Sequence, residues 1–522
     1  MKIGLIIYNT NHLPSWQLRL IEYIFANPKL ELVLIVSKAA NCLEKNNLLK
    51  FLITIQTKIE RKLFFKRPFL NNRSKIEEKL KNTKQILLEE GFSNNDQALM
   101  KNIELVLNLE NITYLPYYFL NSKYGVWSLK YGLGSSIYQN AIGFLDVINK
   151  SSSIKVNLIR HTFSSKEIID NAWFNRHWSI TKTNDILLES SVILIEKNLN
   201  KIEKIENTVF PAFIAKNNEL TITNFISYIL MFNIILLKKF YSMLSNFFLK
   251  KRNYCFTIFV GKGNAMKLSK LDEKPIFPDK GEFWADPFIF PYNSNNYIFF
   301  ENFSYKTKKG KISCGIIKNN KIINKTDVLE LNTHLSYPYI FKENGDIFLM
   351  PENTEKGGLH IYKCIEFPNK WELYSSCFKG ERIADASFFK DKNNQKWLFL
   401  NKGSTENVPL ENELYIYKID SLKFNTIISH KENPVLIDSR VARNAGATFN
   451  FQNKVYRPSQ ANIEGIYGKH ININKIEILN IDEYKERIVK MFEPNIEKGF
   501  IAMHHLHQIE NIFAYDAAFK TL

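Results

Sequence analysis

Residues 284–301 read WADPFIFPYNSNNYIFFE, which is an acidic opening, a hydrophobic strand, a polar turn and a second strand. The same plan recurs in four later segments: SYPYIFKENGDIFLMPE at 336–352, ADASFFKDKNNQKWLFLN at 384–401, NAGATFNFQNKVYRPSQ at 444–460 and MHHLHQIENIFAYDA at 503–517. The segments recur at intervals of roughly 50 to 60 residues, the length of one four-stranded blade. Five such units predict an all-β five-bladed β-propeller over residues 253–522.

The innermost strand of each predicted blade begins at the central channel, so its opening residues should project into one funnel. From this placement we predict three catalytic carboxylates: Asp286, Asp385 and Glu352. Polar and aromatic residues that follow are predicted to bind substrate in the same funnel: Arg443, Arg457, Gln460, Tyr467, His504 and His505. Carboxylates around one cavity suit sugar recognition or general acid–base catalysis, and arginines suit phosphate or a sugar carboxylate.

Each of these residue types also has a structural interpretation, and the sequence leaves the choice open. The Asp286 opening can be an Asx turn that caps its strand, a glutamate such as Glu301 can hydrogen-bond the next blade, and the arginines can pair with the acids. We predict no metal site at the sequence HHLH, because on a strand His505 and His507 face one way and His504 the other.

Residues 1–215 alternate between apolar runs that suit buried strands and longer stretches, rich in Lys and Glu, that suit helices. The strand candidates are KIGLIIY at 2–8, LELVLIV at 30–36 and IELVLNL at 103–109. This alternation is typical of a parallel sheet with helical crossovers and predicts a Rossmann-like α/β domain. No GxGxxG motif follows the first strand, so we predict no dinucleotide and no other cofactor.

The stretch GVWSLKYGLGSSIYQNAIGFLDVINKSSSIKVNLIRHTFSSKEII at 125–169 resembles the formyltransferase superfamily. The resemblance places Ser128 where that family has an Asn, Lys130 where it has a His, and Ser164 where it has an Asp. In the family the Asn and His polarise the formyl carbonyl and stabilise the oxyanion, and the Asp sets the protonation state of the His. The resemblance therefore implies a formyltransferase-type fold that has lost its catalytic residues.

Two further pairs of positions bear on the same resemblance. Gln139 and Asn140 stand where the family has an Arg-Gly turn, whereas Gly143 and Phe144 retain the packing pair that follows. This pattern implies that the scaffold persists without its chemistry.

The second half carries motifs in a fixed order: FWADPFIF, SYPYIF followed by MPE, DASFF, and YRPSQ followed by YG. Across about residues 280–470 they resemble the N-terminal propeller of the glucosamine inositolphosphorylceramide transferase family, and less closely the propeller clan of furanosidases. Tyr337 stands where an acidic residue is common in the furanosidase clan, so a complete hydrolytic carboxylate trio does not carry over. The catalytic glycosyltransferase domain of the plant-type transferase has no match in this sequence, which leaves that activity unassigned.

Residues 216–252 are predicted to form a hydrophobic and amphipathic helical linker. Leu220–Leu237 carries no charge, which is borderline for a membrane span, and Lys238 and Lys239 follow directly. Three interpretations remain open: a helix packed between the domains, an anchor lying on a membrane, and a true span.

The formal net charge of +18 suits an acidic partner such as phosphate, an anionic glycan or a membrane surface, but it also suits a solvated basic surface. No nucleic-acid-binding module is recognisable, so we predict no nucleic-acid partner. The five cysteines have no CxxC spacing, which favours a cytoplasmic protein, with the inner face of the cytoplasmic membrane as a candidate peripheral location.

These observations lead to a surface-glycan biosynthesis protein as the first hypothesis. Its propeller funnel would bind a sugar, a sugar-phosphate or a lipid-linked glycan and transfer a glycosyl or sugar-phosphate group. A non-catalytic glycan-binding scaffold is the alternative from a different class. A glycosidase and an active sugar or methionyl-tRNA-type formyltransferase are weaker alternatives, the latter because of the residues at positions 128, 130 and 164.

Overall fold

The computed structural model describes residues 1–8, 13–37, 47–64, 73–87, 92–112, 115–134, 141–203, 210–211, 219–249, 255–403 and 408–519. The chain divides into two compact units, Met1–Ile235 and Leu236–Leu522. The boundary falls within one long helix, inside the segment predicted as a linker. Gln139 and Asn140 of the formyltransferase comparison lie outside the described residues.

The first unit is built on an eight-stranded mixed sheet. Its strands are β1 (Lys2–Ile7), β2 (Glu31–Ser37), β3 (Lys84–Leu87), β4 (Leu105–Asn108), β5 (Val126–Tyr131), β6 (Ile154–His161), β7 (Lys166–Phe174) and β8 (Phe210–Pro211). They lie in the order β3-β2-β1-β4-β5-β6-β7-β8, with parallel pairs up to β5 and antiparallel pairs from β5 onward. The three predicted strands are confirmed as β1, β2 and β4, and the mixed α/β sheet is consistent with the predicted Rossmann-like class.

Helices connect and flank these strands. They are α1 (Ser15–Ala26), α2 (Asn47–Phe64), α3 (Arg73–Lys81), α4 (Asn94–Lys101), α5 (Tyr117–Leu120), α6 (Phe144–Ile148), α7 (Ile180–Leu199) and α8 (Ile222–Leu249). Side-chain caps fix two of the helix starts, because the first backbone amides of a helix need outside acceptors. Ser93 accepts from the amide of Asp96, whose carboxylate accepts from the amide of Ser93, and Ser179 accepts from the amide of Lys182 at 3.1 Å.

Helix α8 is long and apolar enough, by length and composition, to cross a membrane. Its candidate span is Ile222–Ser245, with a mean hydropathy of 1.3, and 17% of the most apolar window is buried. The buried face consists of Phe225, Tyr228 and Phe232, and the Phe232 ring lies 5.6 Å from that of Trp178. The half of α8 that belongs to the first unit is therefore held by side-chain contacts within that unit.

The second unit is a five-bladed β-propeller, as predicted. Four blades follow one another along the chain, and we call them blades one to four. Blade one contains β11 (Glu282–Tyr292), β12 (Asn295–Ser304), β13 (Lys309–Lys318) and β14 (Lys321–Leu329), and blade two contains β15 (Ser336–Glu343), β16 (Asp346–Glu352), β17 (Leu359–Glu366) and β18 (Lys370–Cys377). Blade three contains β19 (Ile383–Lys390), β20 (Lys396–Lys402), β21 (Glu413–Ile419), β22 (Ile427–Ser429) and β23 (Leu436–Ile437), and blade four contains β24 (Phe449–Phe451), β25 (Lys454–Ile463), β26 (Ile466–Leu479) and β27 (Tyr484–Phe492). Their strands pair antiparallel, and aromatic side chains such as Phe288, Tyr339 and Phe388 pack between the blades.

Blade five closes the ring with strands from both ends of the propeller sequence. It contains β9 (Cys255–Lys262) and β10 (Pro275–Ile276), followed after the other four blades by β28 (Phe500–Ala502), β29 (Leu506–Ile509) and β30 (Ile512–Phe519). Strands β9 and β30 are antiparallel from Cys255↔Phe519 to Lys262↔Ile512. This pairing joins the beginning and the end of the propeller sequence within one blade and so closes the ring. Closure of this kind leaves few exposed sheet edges.

Gly446 is a position at which the ring tolerates no side chain. Its φ is +135°, and a Cβ there would lie 2.1 Å from the carbonyl oxygen of Leu506. Gly446→Ala should therefore lower the free energy of unfolding by about 4 kcal/mol or more, as expected for a backbone clash in a core. Gly345→Ala is the matched control, because Gly345 has a φ of +89° with open space around it; it should cost roughly 1–2 kcal/mol. Equal losses in denaturant unfolding would contradict this explanation.

Candidate functional site on the propeller axis

The innermost strands of blades one to three share an unusual backbone feature. The pairing with the second strand shifts register between Ala285 and Phe288 in blade one, and at the equivalent places in blades two and three. Each irregularity contains a non-glycine residue with positive φ: Asp286 (52°), Tyr337 (45°) and Asp385 (47°). A left-handed non-glycine residue costs roughly 1–2 kcal/mol, so the surrounding contacts must hold it.

A carboxylate from an adjacent blade accepts a hydrogen bond from the amide of each of these residues. Asp516 of blade five accepts from the amide of Asp286 at 2.9 Å. Asp286 in turn accepts from the amide of Tyr337, and Glu352 of blade two accepts from the amide of Asp385, both at 3.1 Å. We call these bonds the axial caps. They satisfy buried amides that the bulges remove from the sheet ladder.

Arg443 joins two of the predicted catalytic carboxylates. Its Nε donates to Asp385, and its Nη2 lies 3.3 Å from Oε2 of Glu352. Gln460 donates from Nε2 to the same carboxylate of Asp385 at 3.2 Å. The ring of Tyr467 lies 5.9 Å from the guanidinium carbon of Arg443 and is 40% exposed, so it is the accessible part of this cluster.

Burial raises the pKa of three carboxyl groups in this region of the propeller, those of Glu352, Asp286 and Glu301. Burial has the largest effect on Glu352 and raises its pKa. The positive charge of Arg443 lowers this pKa and the nearby Asp385 raises it, so that the pKa reaches about 8. Burial also raises the pKa of Asp286, to about 7, against the opposing effect of His504. The pKa of Glu301 is raised well above its usual range by burial and by the charge of Asp286. The raised pKa of Glu352 favours its protonated form, the form that a general acid requires.

His504 lies between two carboxylates. Its Nδ1 is 2.7 Å from Oδ2 of Asp516, and its Nε2 is 3.8 Å from Oδ1 of Asp286. Burial alone would lower the pKa of His504, but the charges of Asp516 and Asp286 outweigh it and raise the pKa to about 9. His505, 3.6 Å from Asp286, has its pKa lowered well below the usual range by burial.

The ligand atoms of Asp286, His504 and Asp516 lie within 4.8 Å of one another, which is close enough to hold a metal ion. His504 also pairs directly with Asp516 and lies near Asp286, so the same three residues can form a charged hydrogen-bonded cluster without an ion.

Residues 274–510 match the family described as glucosamine inositolphosphorylceramide transferase 1, N-terminal. The matched segment contains Asp286, Glu352, Asp385 and Arg443. The predicted resemblance of the propeller to this family is confirmed, whereas the formyltransferase-like assignment of the first unit stays a prediction.

Curated relatives carry the same name. A protein of Arabidopsis thaliana, glucosamine inositolphosphorylceramide transferase 1, is 32% identical over 213 residues, which are 39% of this chain and 27% of the relative. Its counterpart in Oryza sativa subsp. japonica is 30% identical over 221 residues, 42% of this chain and 29% of the relative. The chain thus spans less than a third of the length of these relatives. A solved structure, that of a thermostable family-43 glycoside hydrolase, aligns with a TM-score of 0.36 and 12% identity, covering 47% of this chain and 86% of that chain.

Arg457 does not join the Arg443 cluster. It is fully buried, and its Nε and Nη2 pair with the carboxylate of Glu486. Its remaining donors reach the carbonyl oxygens of Val441 and Ala442 and the side chain of Asn444. All five N–H groups are thus occupied by the protein, which favours a structural role over the predicted substrate binding.

Asp516 is the site residue that sequence reasoning missed. The signal was present, because each repeat carries a polar residue near the end of its second strand: Glu301, Glu352, Asn401, Gln460 and Asp516. Asn401 uses this position to accept from the amide of Asn444 at 2.8 Å, as Glu352 and Asp516 do at their blade boundaries. Aligning all five repeats on both strands would have identified the axial caps.

Propeller stability should fall as the pH rises from about 7 to about 9. Below this range the buried histidines with lowered pKa, such as His505 and His507, have the opposite effect. The folded-state pKa of His504 is raised to about 9, so its stabilisation is present below its ordinary value of 6.5 and is lost as the pH rises through about 9. The raised pKa of Glu352 has the same sign, with its contribution lost as the pH rises through about 8. Calorimetric midpoints across this range measure the effect, and Glu352→Gln should show a smaller decline. A midpoint that stays constant or rises would contradict the assignment.

Proposed function

We propose that this protein takes part in the assembly of a surface glycan and that its propeller axis binds a sugar, a sugar-phosphate or a lipid-linked glycan. The names of the matched family and of its relatives support a glycosyl-transferring role. The observation that carries the proposal is the contact of Arg443 with both Asp385 and Glu352, beneath an exposed tyrosine ring.

The chemistry follows from the protonation states of this cluster. Glu352, with a pKa of about 8, donates its proton to the oxygen of the departing group as the bond from that oxygen to the transferred sugar or phosphate breaks. The acceptor hydroxyl forms the new bond to the transferred group, and its proton returns to Glu352. Arg443 holds Glu352 and Asp385 in position and supplies positive charge toward a bound phosphate or sugar carboxylate. The exposed ring of Tyr467 offers an apolar surface for a sugar face. In this proposal Glu352 is the general acid, and Asp385 and Arg443 are positioning groups.

A non-catalytic glycan-binding protein is the second candidate, and the axial caps favour it. Asp286, Glu352 and Asp516 each accept from a buried amide, and each is at most 10% exposed as a side chain. A carboxylate that a fold requires as a hydrogen-bond acceptor needs no catalytic role. The two candidates differ in whether the function of the protein requires Glu352 to donate a proton.

Amide substitutions separate these candidates because Asn and Gln keep an acceptor oxygen but cannot transfer a proton. We expect Glu352→Gln to fold normally yet to lower glycan transfer by about 10²–10⁴-fold, the usual contribution of a general acid. The measurement is complementation of a gene deletion, with the cell's own glycan quantified. Asp420→Asn is the matched control, since Asp420 is an exposed blade-three residue.

Asp286→Asn and Asp286→Ala test the cap itself. The Asn variant keeps an acceptor for the amide of Tyr337 and should be destabilised less than the Ala variant, which should lose about 1–3 kcal/mol because that amide is left without its acceptor. Normal glycan in cells carrying Glu352→Gln would refute catalysis at the axis and favour the binding protein. Release of reducing sugar from furanosides would instead favour a glycosidase.

We also propose that the first unit transfers no formyl group. Ser128 lies on β5 with its Oγ 2.6 Å from Nε2 of His161, and burial lowers the pKa of that His to about 4. Burial also lowers the pKa of Lys130. Ser164, in the turn between β6 and β7, is 3.4 Å from the hydroxyl of Thr162 and supplies no carboxylate. Incubation with formyl-tetrahydrofolate and an amino-sugar nucleotide should give no formylated product, and turnover would overturn this proposal.

We place the protein in the cytoplasm, at the inner face of the cytoplasmic membrane, as a proposal. A lipid-linked acceptor would be presented there, and α8 offers an apolar exposed surface.

A further inference from the structure

Helix α2 exposes one stripe of apolar side chains. Its exposed apolar residues are spaced three or four apart: Leu48 (59% exposed), Phe51 (61%), Ile55 (40%), Ile59 (45%) and Leu63 (58%). The opposite, buried face combines two apolar residues, Leu49 and Ile53, with three polar ones, Gln56, Thr57 and Glu60. An ordinary surface helix turns its apolar stripe toward the core, whereas α2 has a second apolar stripe that faces outward.

The buried carboxylate of Glu60 explains the orientation. It accepts hydrogen bonds from Tyr228 Oη at 2.5 Å, from the amide of Thr181 at 3.1 Å and from Gln56 at 3.0 Å, as well as from the hydroxyl of Ser179. A buried carboxylate is tolerated only when its oxygens are satisfied in this way. Rotating α2 to bury the exposed apolar stripe would remove Glu60 from its donors on other elements, Tyr228, Thr181 and Ser179.

The same carboxylate connects α2 with α8. Tyr228, fully buried on α8, donates to Glu60, and its oxygen accepts from the amide of Ile180 at 3.1 Å. On the exposed side of α8 a second apolar stripe appears: Ile222 (47% exposed), Ile226 (54%), Leu230 (61%) and Ile234 (52%). Two helices joined at one buried carboxylate thus both expose apolar stripes.

The charges beside these stripes have one sign. On α2, Lys50, Lys58 and Lys62 are exposed, and Glu60, the single acidic residue of that helix, is buried. Helix α8 contains no acidic residue, and its charged side chains are Lys238 and Lys239. Apolar stripes bordered by lysines match the interface of a bilayer that contains anionic lipids, in which the apolar groups insert and the lysines meet the headgroups.

We propose that α2 and the first half of α8 form a two-helix face that lies on an anionic lipid bilayer. The buried face of α8 is engaged by Tyr228 and Phe232 within the first unit, so α8 lies along the membrane surface and does not cross it. The face brings the protein to the membrane that carries a lipid-linked acceptor, so its purpose rests on the proposed function. Its lipid binding can be measured without any glycan.

Sedimentation of the full-length protein with vesicles tests this face. Wild type should bind vesicles of phosphatidylcholine with phosphatidylglycerol, bind pure phosphatidylcholine weakly, and be released by high salt and alkaline washing. Phe51→Glu combined with Ile55→Glu should lower binding by about tenfold or more, and so should Ile226→Glu combined with Leu230→Glu. Ile496→Glu is the matched control, because Ile496 is a 67% exposed apolar residue of the propeller.

Several outcomes would overturn the proposal. These are unchanged binding of the α2 variant, equal loss in the Ile496→Glu control, no binding of wild type to anionic vesicles, or wild-type protein that only detergent extracts. Unfolding midpoints check that the variants fold. If the α2 variant misfolds, Lys58→Glu with Lys62→Glu replaces it and should lower binding to anionic vesicles alone. Glu352→Gln should bind vesicles like wild type, so failure of the catalytic proposal would be seen separately.

Discussion

A buried backbone amide must have an acceptor, and at the propeller axis this requirement is met by side chains from neighbouring blades. The bulges at Asp286, Tyr337 and Asp385 remove amides from the sheet, and leaving one unsatisfied would cost about 1–3 kcal/mol. Asp516, Asp286 and Glu352 supply the acceptors across blade boundaries. The axial caps therefore hold both the strained backbone and the junctions between blades.

The same requirement creates the candidate site. Acceptors that cap the bulges are acidic and converge on the axis, where burial disfavours their ionised forms. Arg443 and His504 offset part of this charge, and the raised pKa of Glu352 favours its protonated form. The group that caps the amide of Asp385 is thus also the group proposed as the proton donor. The acidic residues that stabilise the propeller are therefore also the groups proposed to take part in its chemistry.

The sequence predicted the propeller because its repeats recur at the spacing of a blade, and it predicted the Arg443 cluster because the repeat positions converge by symmetry. It did not predict that β9, from the start of the propeller, pairs with β30, since that contact joins the ends of the repeat array. Arg457 was assigned to the site by its position near Gln460, but the strand alternates faces and turns its guanidinium toward Glu486. The sequence also did not predict which face of α2 is buried, because the spacing of apolar residues reveals a stripe on a helix but not whether that stripe faces the core or the solvent.

The proposed chemistry depends on Glu352 keeping its proton at neutral pH while it caps the amide of Asp385. NMR titration of protein labelled at the glutamate side-chain carboxyl carbons, with Glu352→Gln used to assign the signal, measures the pKa of this group directly. We expect a midpoint near pH 8 for Glu352 in the folded protein. A midpoint near the ordinary glutamate value of 4.5 would contradict this assignment, because the carboxyl group would then be ionised and unable to serve as a general acid.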